Sequence, residues 1–292
     1  MSLISPPPLS TLSRPTGAFA MLAIDQRESM RAMFAGKQDR PVTDAQIADF
    51  KLAALRALTP FASAALIDKV FAWDRAVAEG AVAEGCSMIA AGDHFISGPG
   101  ELISDVEIDE NVVPAVMRRD GASAMKLLVI WRPDEPAEKR IALVDRFVAR
   151  CREAGLLSVI EPVSRKRRDG APADLDAGII AAAEELGARG ADLYKAEIPY
   201  RGVATETEVR RACERITSVV ESPWVVLSSG VDPDHFPTAV EWACRGGASG
   251  FLAGRAVWQR VIGASDIAQA LAEDAVPRLQ KLVETVDDAV SR

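Results

Sequence analysis

The chain has 292 residues, 49% of them hydrophobic and 26% charged, with a formal net charge of −8. That acidic balance argues against nucleic acid or an anionic membrane as the main partner, because both demand a basic face. No apolar stretch approaches the roughly 18 residues of a membrane span, and no basic leader runs into a long apolar core, so a cytoplasmic protein without a signal peptide is expected.

The first residues, with Pro6, Pro7 and Pro8 and many Ser and Thr, are expected to form an extended lead-in over 1–16. Short apolar runs then alternate with longer amphipathic segments. The runs are Ala18–Asp25, Ala64–Asp68, Ser87–Gly92, Ala124–Trp131, Leu157–Val163, Ala191–Pro199, Trp224–Ser229 and Gly250–Arg255. Such runs suit strands buried on both faces, as in a parallel sheet with helices outside.

Between them, Thr43–Leu58 predicts a helix capped by Thr43, and Ala137–Ala154 one with Ile141, Val144, Phe147 and Val148 on a single face, ending at Gly155. Leu175–Leu186 predicts a helix ending at Gly187 in the same manner, followed by Thr205–Val220, Pro233–Cys244 and Ile267–Val286. The stretch from Phe95 to Asp120 is less regular and fixes no element. Eight strand-then-helix units predict an α/β fold, a (β/α)8 TIM barrel, as one domain over 1–292. An open doubly wound sheet is the competitor, but its glycine-rich first turn is replaced by Asp25-Gln26-Arg27-Glu28.

Barrel enzymes carry their chemistry at the C-terminal ends of the strands, and a lone charge inside an apolar run is costly to bury. Asp25, Asp68 and Asp93 close or follow the first three runs; Lys126, Glu161 and Lys195 lie within the fourth, fifth and sixth; Arg255 ends the eighth. Alternation puts Leu193, Lys195 and Glu197 on one face. A lysine merely paired with a carboxylate is the plain reading of Lys195. The company of Lys126 and Glu161 favours imine chemistry, with desolvation and the nearby Lys126 cation both freeing the Lys195 amine and Glu161 moving protons. Ser228-Ser229-Gly230 and Gly254-Arg255 follow the last two strands, a recurrent phosphate site in this fold, against the alternative of tight turns alone; alternation does not decide which serine faces inward.

Only two histidines occur, His94 and His235, in no ligand motif, so no metal is expected. The four cysteines form no CxxC pair and look like small buried residues of a reduced protein. The basic run Arg165–Arg168 reads as a solvated loop, its position after a predicted strand leaving a role near an anionic substrate open.

Six segments carry a resemblance: MLAIDQRESM (Met21–Met30), MKLLVIWRPDE (Met125–Glu135), SVIEPV (Ser158–Val163), GADLYKAEIP (Gly190–Pro199), WVVLSSGV (Trp224–Val231) and GASGFLAGRAVW (Gly247–Trp258). In this order they resemble class I aldolases of the tagatose-bisphosphate aldolase family, most nearly its sulfofructose-phosphate branch. The resemblance implies Lys195 as the Schiff-base lysine, Glu161 as proton shuttle, Asp25, Gln26 and Lys126 lining the site, a phosphate held by Ser229, Gly230, Gly254 and Arg255, and no cofactor. It implies cleavage of 6-deoxy-6-sulfofructose 1-phosphate to dihydroxyacetone phosphate and 3-sulfolactaldehyde, with Arg27 and Lys69 as candidate contacts for the sulfonate end. A tagatose- or fructose-bisphosphate aldolase is the alternative; a non-covalent sugar-phosphate isomerase or a binding protein is the alternative of another class. The partner is then a small sugar phosphate or sulfosugar phosphate, and a homo-oligomer is expected.

Overall fold

A computed structural model describes residues 5–291. In chain order its strands are β1 (Phe19–Ala23), β2 (Ala64–Ile67), β3 (Ser87–Ala91), β4 (Asp93–Gly98), β5 (Glu101–Ile108), β6 (Ala122–Trp131), β7 (Leu157–Ser164), β8 (Leu193–Ala196), β9 (Trp224–Val226) and β10 (Gly250–Ala253). Eight of them close into a parallel barrel in the order β1-β10-β9-β8-β7-β6-β3-β2, while β4 and β5 pair separately as an antiparallel hairpin. All eight predicted strands are present, and the ring they close excludes the open sheet.

Alternation along each strand divides two apolar layers. Phe19, Met21 and Ala23, Ala64 and Leu66, Ile89, Ala91, Ala124, Leu157, Val159, Leu193, Val225 and Leu252 fill the barrel interior. The intervening residues, such as Leu22, Ile67, Ile160 and Tyr194, pack outward against the helices. One step further along the inward-facing rows brings Asp25, Lys126, Glu161 and Lys195 above this apolar floor, all of them buried. The floor is closed from below by the N-terminal segment. Its 3-10 turn Leu9–Leu12, where an extended lead-in was expected, buries Leu12 completely in the interior cluster. Arg14 and Thr16 tether the segment to Asp287, at 2.8 Å and 2.6 Å.

The outer layer comprises α1 (Glu28–Ala35), α2 (Asp44–Leu58), α3 (Trp73–Ala78), α4 (Pro114–Arg119), α5 (Ala137–Ala154), α6 (Leu175–Leu186), α7 (Glu206–Val219), α8 (Phe236–Arg245), α9 (Arg255–Trp258), α10 (Ile267–Ala270) and α11 (Val276–Val290). Thr43 caps α2 by accepting the Gln46 N–H, and Gly155 ends α5 in the left-handed conformation at φ 67. Gly187 ends α6 differently: it stays right-handed at φ −66. Its constraint is crowding, since a Cβ there would lie 2.9 Å from the Val219 carbonyl oxygen.

Two segments depart from the sequence reading. The irregular stretch after β3 holds the β4–β5 hairpin and then α4, and the hairpin brings Phe95 and Ile103 to the mouth of the barrel. The helix expected over Ile267–Val286 is broken: α10 gives way to a π-helical turn, Leu271–Ala275, before α11. Pro277 has no N–H to return to residue 273, so the helix cannot run through it with ordinary bonding and widens just before it. Among the described residues no helix is long and apolar enough to cross a membrane, and all four cysteines are free, Cys151 and Cys213 fully buried and Cys86 and Cys244 partly so.

Because Leu12 fills the bottom of a closed barrel, its truncation leaves a cavity that rigid strands cannot collapse. Leu12→Ala is expected to lower the unfolding free energy by about 2–4 kcal/mol, measured by urea denaturation. A loss below about 1 kcal/mol would show that the N-terminal plug carries little of the core.

Candidate active site

A cavity of about 190 Å³ opens at the C-terminal end of the barrel, and Asp25, Lys126, Glu161 and Lys195 form its base. Each is placed by its strand: β1 delivers Asp25 just past its end, β6 and β7 carry Lys126 and Glu161, and β8 carries Lys195. Lys126 Nζ lies 2.7 Å from Asp25 Oδ2, 2.8 Å from Asp93 Oδ2 and 3.0 Å from Glu161 Oε2. Lys195 Nζ lies 2.9 Å from the other oxygen of Glu161, Oε1. Glu161 therefore bridges two buried lysines, one through each oxygen.

Asp93 completes the network. Its carboxylate also accepts the Leu128 N–H at 3.1 Å and pairs with Arg27 at 3.1 Å. Arg27 in turn donates to the Asp93 carbonyl oxygen at 2.7 Å and lies over the Phe95 ring at 4.5 Å. Three cations thus face three carboxylates. Burial alone would push the carboxyl groups up, but the charge of Lys126 and then of Lys195 outweighs it, holding Glu161 below and Asp25 well below the ordinary carboxylate range. Burial works against the Lys126 ammonium too, yet Asp25, Asp93 and Glu161 together raise it well above the usual lysine value.

This geometry corrects the expected role of Lys126. Its field was to disfavour the ammonium form of Lys195, but three carboxylates at contact distance neutralise it. The group touching Lys195 is Glu161, a proton acceptor. The candidates for the far end of the substrate also change. Arg27 is committed to Asp93 and does not line the cavity, and Lys69 pairs on the surface with Asp74 at 2.6 Å.

On the opposite wall, Ser228, Ser229, Gly254 and Arg255 line the same cavity, together with Gln26. The Ser228 hydroxyl is turned to the first turn of α9, accepting the Ala256 N–H at 3.4 Å. Ser229 borders both this cavity and a larger one beside it, which Gly230 also lines. Gly254 permits close passage of β1, since a Cβ would fall 2.3 Å from the Ala23 carbonyl oxygen. Burial lowers the pKa of the Arg255 guanidinium, and among the described residues it has no carboxylate within ion-pair distance. An unpaired, largely buried guanidinium beside glycine turns is a natural counter-ion for an oxyanion.

Sequence reasoning placed the ten site residues on one end of the barrel and gave no role to several that belong with them. Asp93 was conspicuous as a charge after the third strand, but its three partners come from elsewhere in the chain. Arg165, first of the basic run, lines the cavity 3.7 Å from Glu197. Glu197 leaves the barrel interior after β8 and accepts the Ser164 N–H at 2.7 Å, so it does not join Lys195. Arg168 is structural, fastening its loop to Ser104 of the hairpin and to Glu135. His94 is exposed, His235 meets the Gly202 carbonyl oxygen, and among the described residues no group of His, Cys, Asp and Glu is arranged for a metal ion.

Comparison with known proteins places this architecture. Residues 19–260 match the DeoC/LacD family of aldolases. A tagatose 1,6-diphosphate aldolase of Listeria monocytogenes is 28% identical over 278 residues, covering 86% of this chain and 80% of its own. Tagatose 1,6-diphosphate aldolase 1 of Enterococcus faecalis is 28% identical over 302 residues, covering 95% and 90%. Among solved structures, an archaeal fructose 1,6-bisphosphate aldolase superposes with a TM-score of 0.65 at 17% identity over 96% of this chain and 97% of its own. A Schiff-base-forming fructose-1,6-bisphosphate aldolase superposes with a TM-score of 0.63 at 17% identity, covering 95% and 97%. These two establish likeness of fold.

Replacing Lys126 by Met removes the cation shared by three buried carboxylates, leaving Asp25 without an ion-pair partner while Asp93 keeps Arg27 and Glu161 keeps Lys195. In the wild type Asp25 and Glu161 have folded pKa values below their unfolded ones, so their contribution is present at neutral pH and fades as pH falls through the folded values. Without the cation those folded values rise above the unfolded ones, so the penalty is full at neutral pH and relaxes on acidification. Lys126→Met is expected to cost about 3–5 kcal/mol at pH 7.5 and less at pH 5, measured by urea denaturation at both. A deficit that stays constant or grows toward pH 5 would refute the assignment.

Proposed function

Since the chain belongs to the DeoC/LacD aldolase family, we propose that it cleaves a ketose 1-phosphate through an imine on Lys195, with tagatose 1,6-bisphosphate as the substrate type. The observation that carries this reading is the contact of Lys195 Nζ with Glu161 Oε1, 2.9 Å, inside a closed barrel. An amine attacks a carbonyl only after losing its proton, and Glu161 is the acceptor at hand.

The Lys195 amine adds to the C2 carbonyl. Glu161 receives the ammonium proton and returns one to the carbinolamine hydroxyl, which leaves as water. The resulting iminium draws the C3–C4 bonding pair toward C2 as a carboxylate takes the proton of the C4 hydroxyl. Glu161 is the first candidate for that base and Asp25 the second. The C4 fragment departs as an aldehyde, glyceraldehyde 3-phosphate from tagatose 1,6-bisphosphate, and the enamine is reprotonated at C3. Hydrolysis releases dihydroxyacetone phosphate. Lys126 stays charged throughout, which favours the ionised form of Asp25 and drives Glu161 back to its carboxylate after each proton transfer. Ser228, Ser229, Gly230, Gly254 and Arg255, with Gln26 beside them, hold the C1 phosphate so that C2 meets Lys195, a positioning effect worth several kcal/mol of barrier. The space between the carboxylates, where a divalent cation would sit, is filled by Lys126 Nζ, so the reading includes no metal cofactor.

The relatives named for tagatose 1,6-diphosphate favour a phosphate at C6 over the sulfonate of 6-deoxy-6-sulfofructose 1-phosphate. The sulfonated ketose rests on motif similarity alone and serves as the comparison substrate. Treatment with dihydroxyacetone phosphate and borohydride is expected to leave a stable adduct on Lys195, located by peptide mass spectrometry. Lys195→Ala is expected to lose more than about 1000-fold in kcat. In steady-state cleavage, tagatose 1,6-bisphosphate should exceed the sulfonated ketose in kcat/KM by at least about tenfold, a difference of roughly 1.4 kcal/mol. An unmodified Lys195 in an active enzyme would point to an isomerase, and ligand binding without any product formation to a binding protein. A reversed preference would move the substrate to the sulfosugar.

A further inference from the structure

The connection between β8 and α7 contains a turn, Pro199–Gly202, with three successive residues in the left-handed region: Tyr200 (φ 57, ψ 17), Arg201 (φ 51, ψ 24) and Gly202 (φ 70). Among the described residues Tyr200 and Arg201 are the only non-glycines at positive φ. A Cβ makes this conformation unfavourable, and it persists only where the surroundings impose it. Here they do so from three sides. The Tyr200 N–H donates to Asp176 of α6 at 2.6 Å, the Val203 N–H returns to the Tyr200 carbonyl oxygen at 3.0 Å, and the Gly202 carbonyl oxygen meets the His235 ring.

The strained turn serves the placement of one side chain. Arg201 runs across Gly230: a Cβ on that glycine would lie 3.2 Å from Arg201 Nε, 3.3 Å from Cδ and 3.7 Å from Cζ. Arg201, Ser229 and Gly230 line a cavity of about 900 Å³ that shares Ser229 and Arg165 with the catalytic cavity. Within this boundary Arg165 is partly neutralised by Glu197 at 3.7 Å, whereas Arg201 has no carboxylate within ion-pair distance among the described residues. A surface arginine needs no strained backbone, and a glycine at 201 would remove the strain. What a glycine would not supply is a positive charge against the Ser229–Gly230 turn.

We propose that Arg201 is an anion-binding residue, a second guanidinium beside Arg255 for the phosphoryl group seated on Ser229 and Gly230. The inference deepens the aldolase reading and rests on its assignment of that turn to phosphate. Two unpaired guanidiniums match a phosphate monoester, which carries close to two negative charges at neutral pH, and guanidinium–phosphate contacts are among the stronger hydrogen bonds available in water.

Arg201→Gly and Arg201→Ala test it, with inorganic phosphate as probe, titrated calorimetrically and as a competitive inhibitor of cleavage. Both variants should bind phosphate at least about tenfold more weakly, and the loss in cleavage should fall on KM more than on kcat. Arg201→Gly should melt above Arg201→Ala, because glycine accepts the left-handed backbone. Unchanged phosphate affinity in the folded Arg201→Gly variant overturns the proposal. So does an equal loss of borohydride-trapped adduct with dihydroxyacetone, which has no phosphate. Absence of any adduct in the wild type would instead defeat the imine reading, while the phosphate titration still decides Arg201.

Discussion

One carboxylate shared between two buried lysines sets the requirements for the rest of the molecule. Glu161 gives one oxygen to Lys126 and the other to Lys195 in a region from which solvent is nearly excluded. Uncompensated, any of these charges would be neutralised by proton transfer or would unfold the site. Compensation needs more groups than the triad itself contains, and Asp25, Asp93 and Arg27 supply them. The balance is local, three positive against three negative, and it is assembled from strands far apart in the chain. Only a closed parallel ring, in which every strand ends at the same rim, brings such groups to one point.

Below the charged layer the interior is apolar. Phe19, Met21, Leu66, Ile89, Leu157, Val159 and Leu193 stack under it, and Leu12 seals the base. Side chains packed this way hold their rotamers, so the lysines and carboxylates above stand on a rigid platform. The hairpin and the basic loop form a separate, less regular rim. Arg168 joins them through Ser104, and Phe95 and Ile103 close the cavity from that side. Precision at the base and variability at the rim are the usual division of labour in this fold.

Much of this was legible in the sequence because barrel strands are buried on both faces, so each shows as an apolar run and a charge within it stands out. Lys126, Glu161 and Lys195 were found in that way, and Gly155 and Thr43 marked helix ends by their own chemistry. The hairpin 93–108 was not legible, since its strands carry charged and apolar residues on faces whose burial depends on the loops they meet. The break before Pro277 has a visible signal that the sequence reading passes over, since a proline inside the expected Ile267–Val286 helix removes an N–H from its ladder. Arg27 follows Asp25 and Gln26 and reads as a contact for the sulfonate end of a substrate, although its partner is Asp93, 66 residues away. Nothing in Tyr200-Arg201 announces a left-handed backbone, because neither residue type favours it.

The two lysines show how identical side chains acquire different duties. Lys126 touches three carboxylates and keeps its proton, so it acts as a fixed charge. Lys195 touches a single oxygen of a carboxylate whose other oxygen is already engaged. In the proposed reaction a proton must leave Lys195 and arrive on Glu161, and among the described residues the 2.9 Å contact between them is the one ion pair Lys195 makes. The charge of Lys126 opposes protonation of Glu161, which makes any proton held there transient and readily returned to the carbinolamine. Removing that opposition would turn Glu161 into a sink rather than a shuttle. In the proposed reaction the difference between structural cation and nucleophile therefore comes from the number of partners around each lysine, not from the residue.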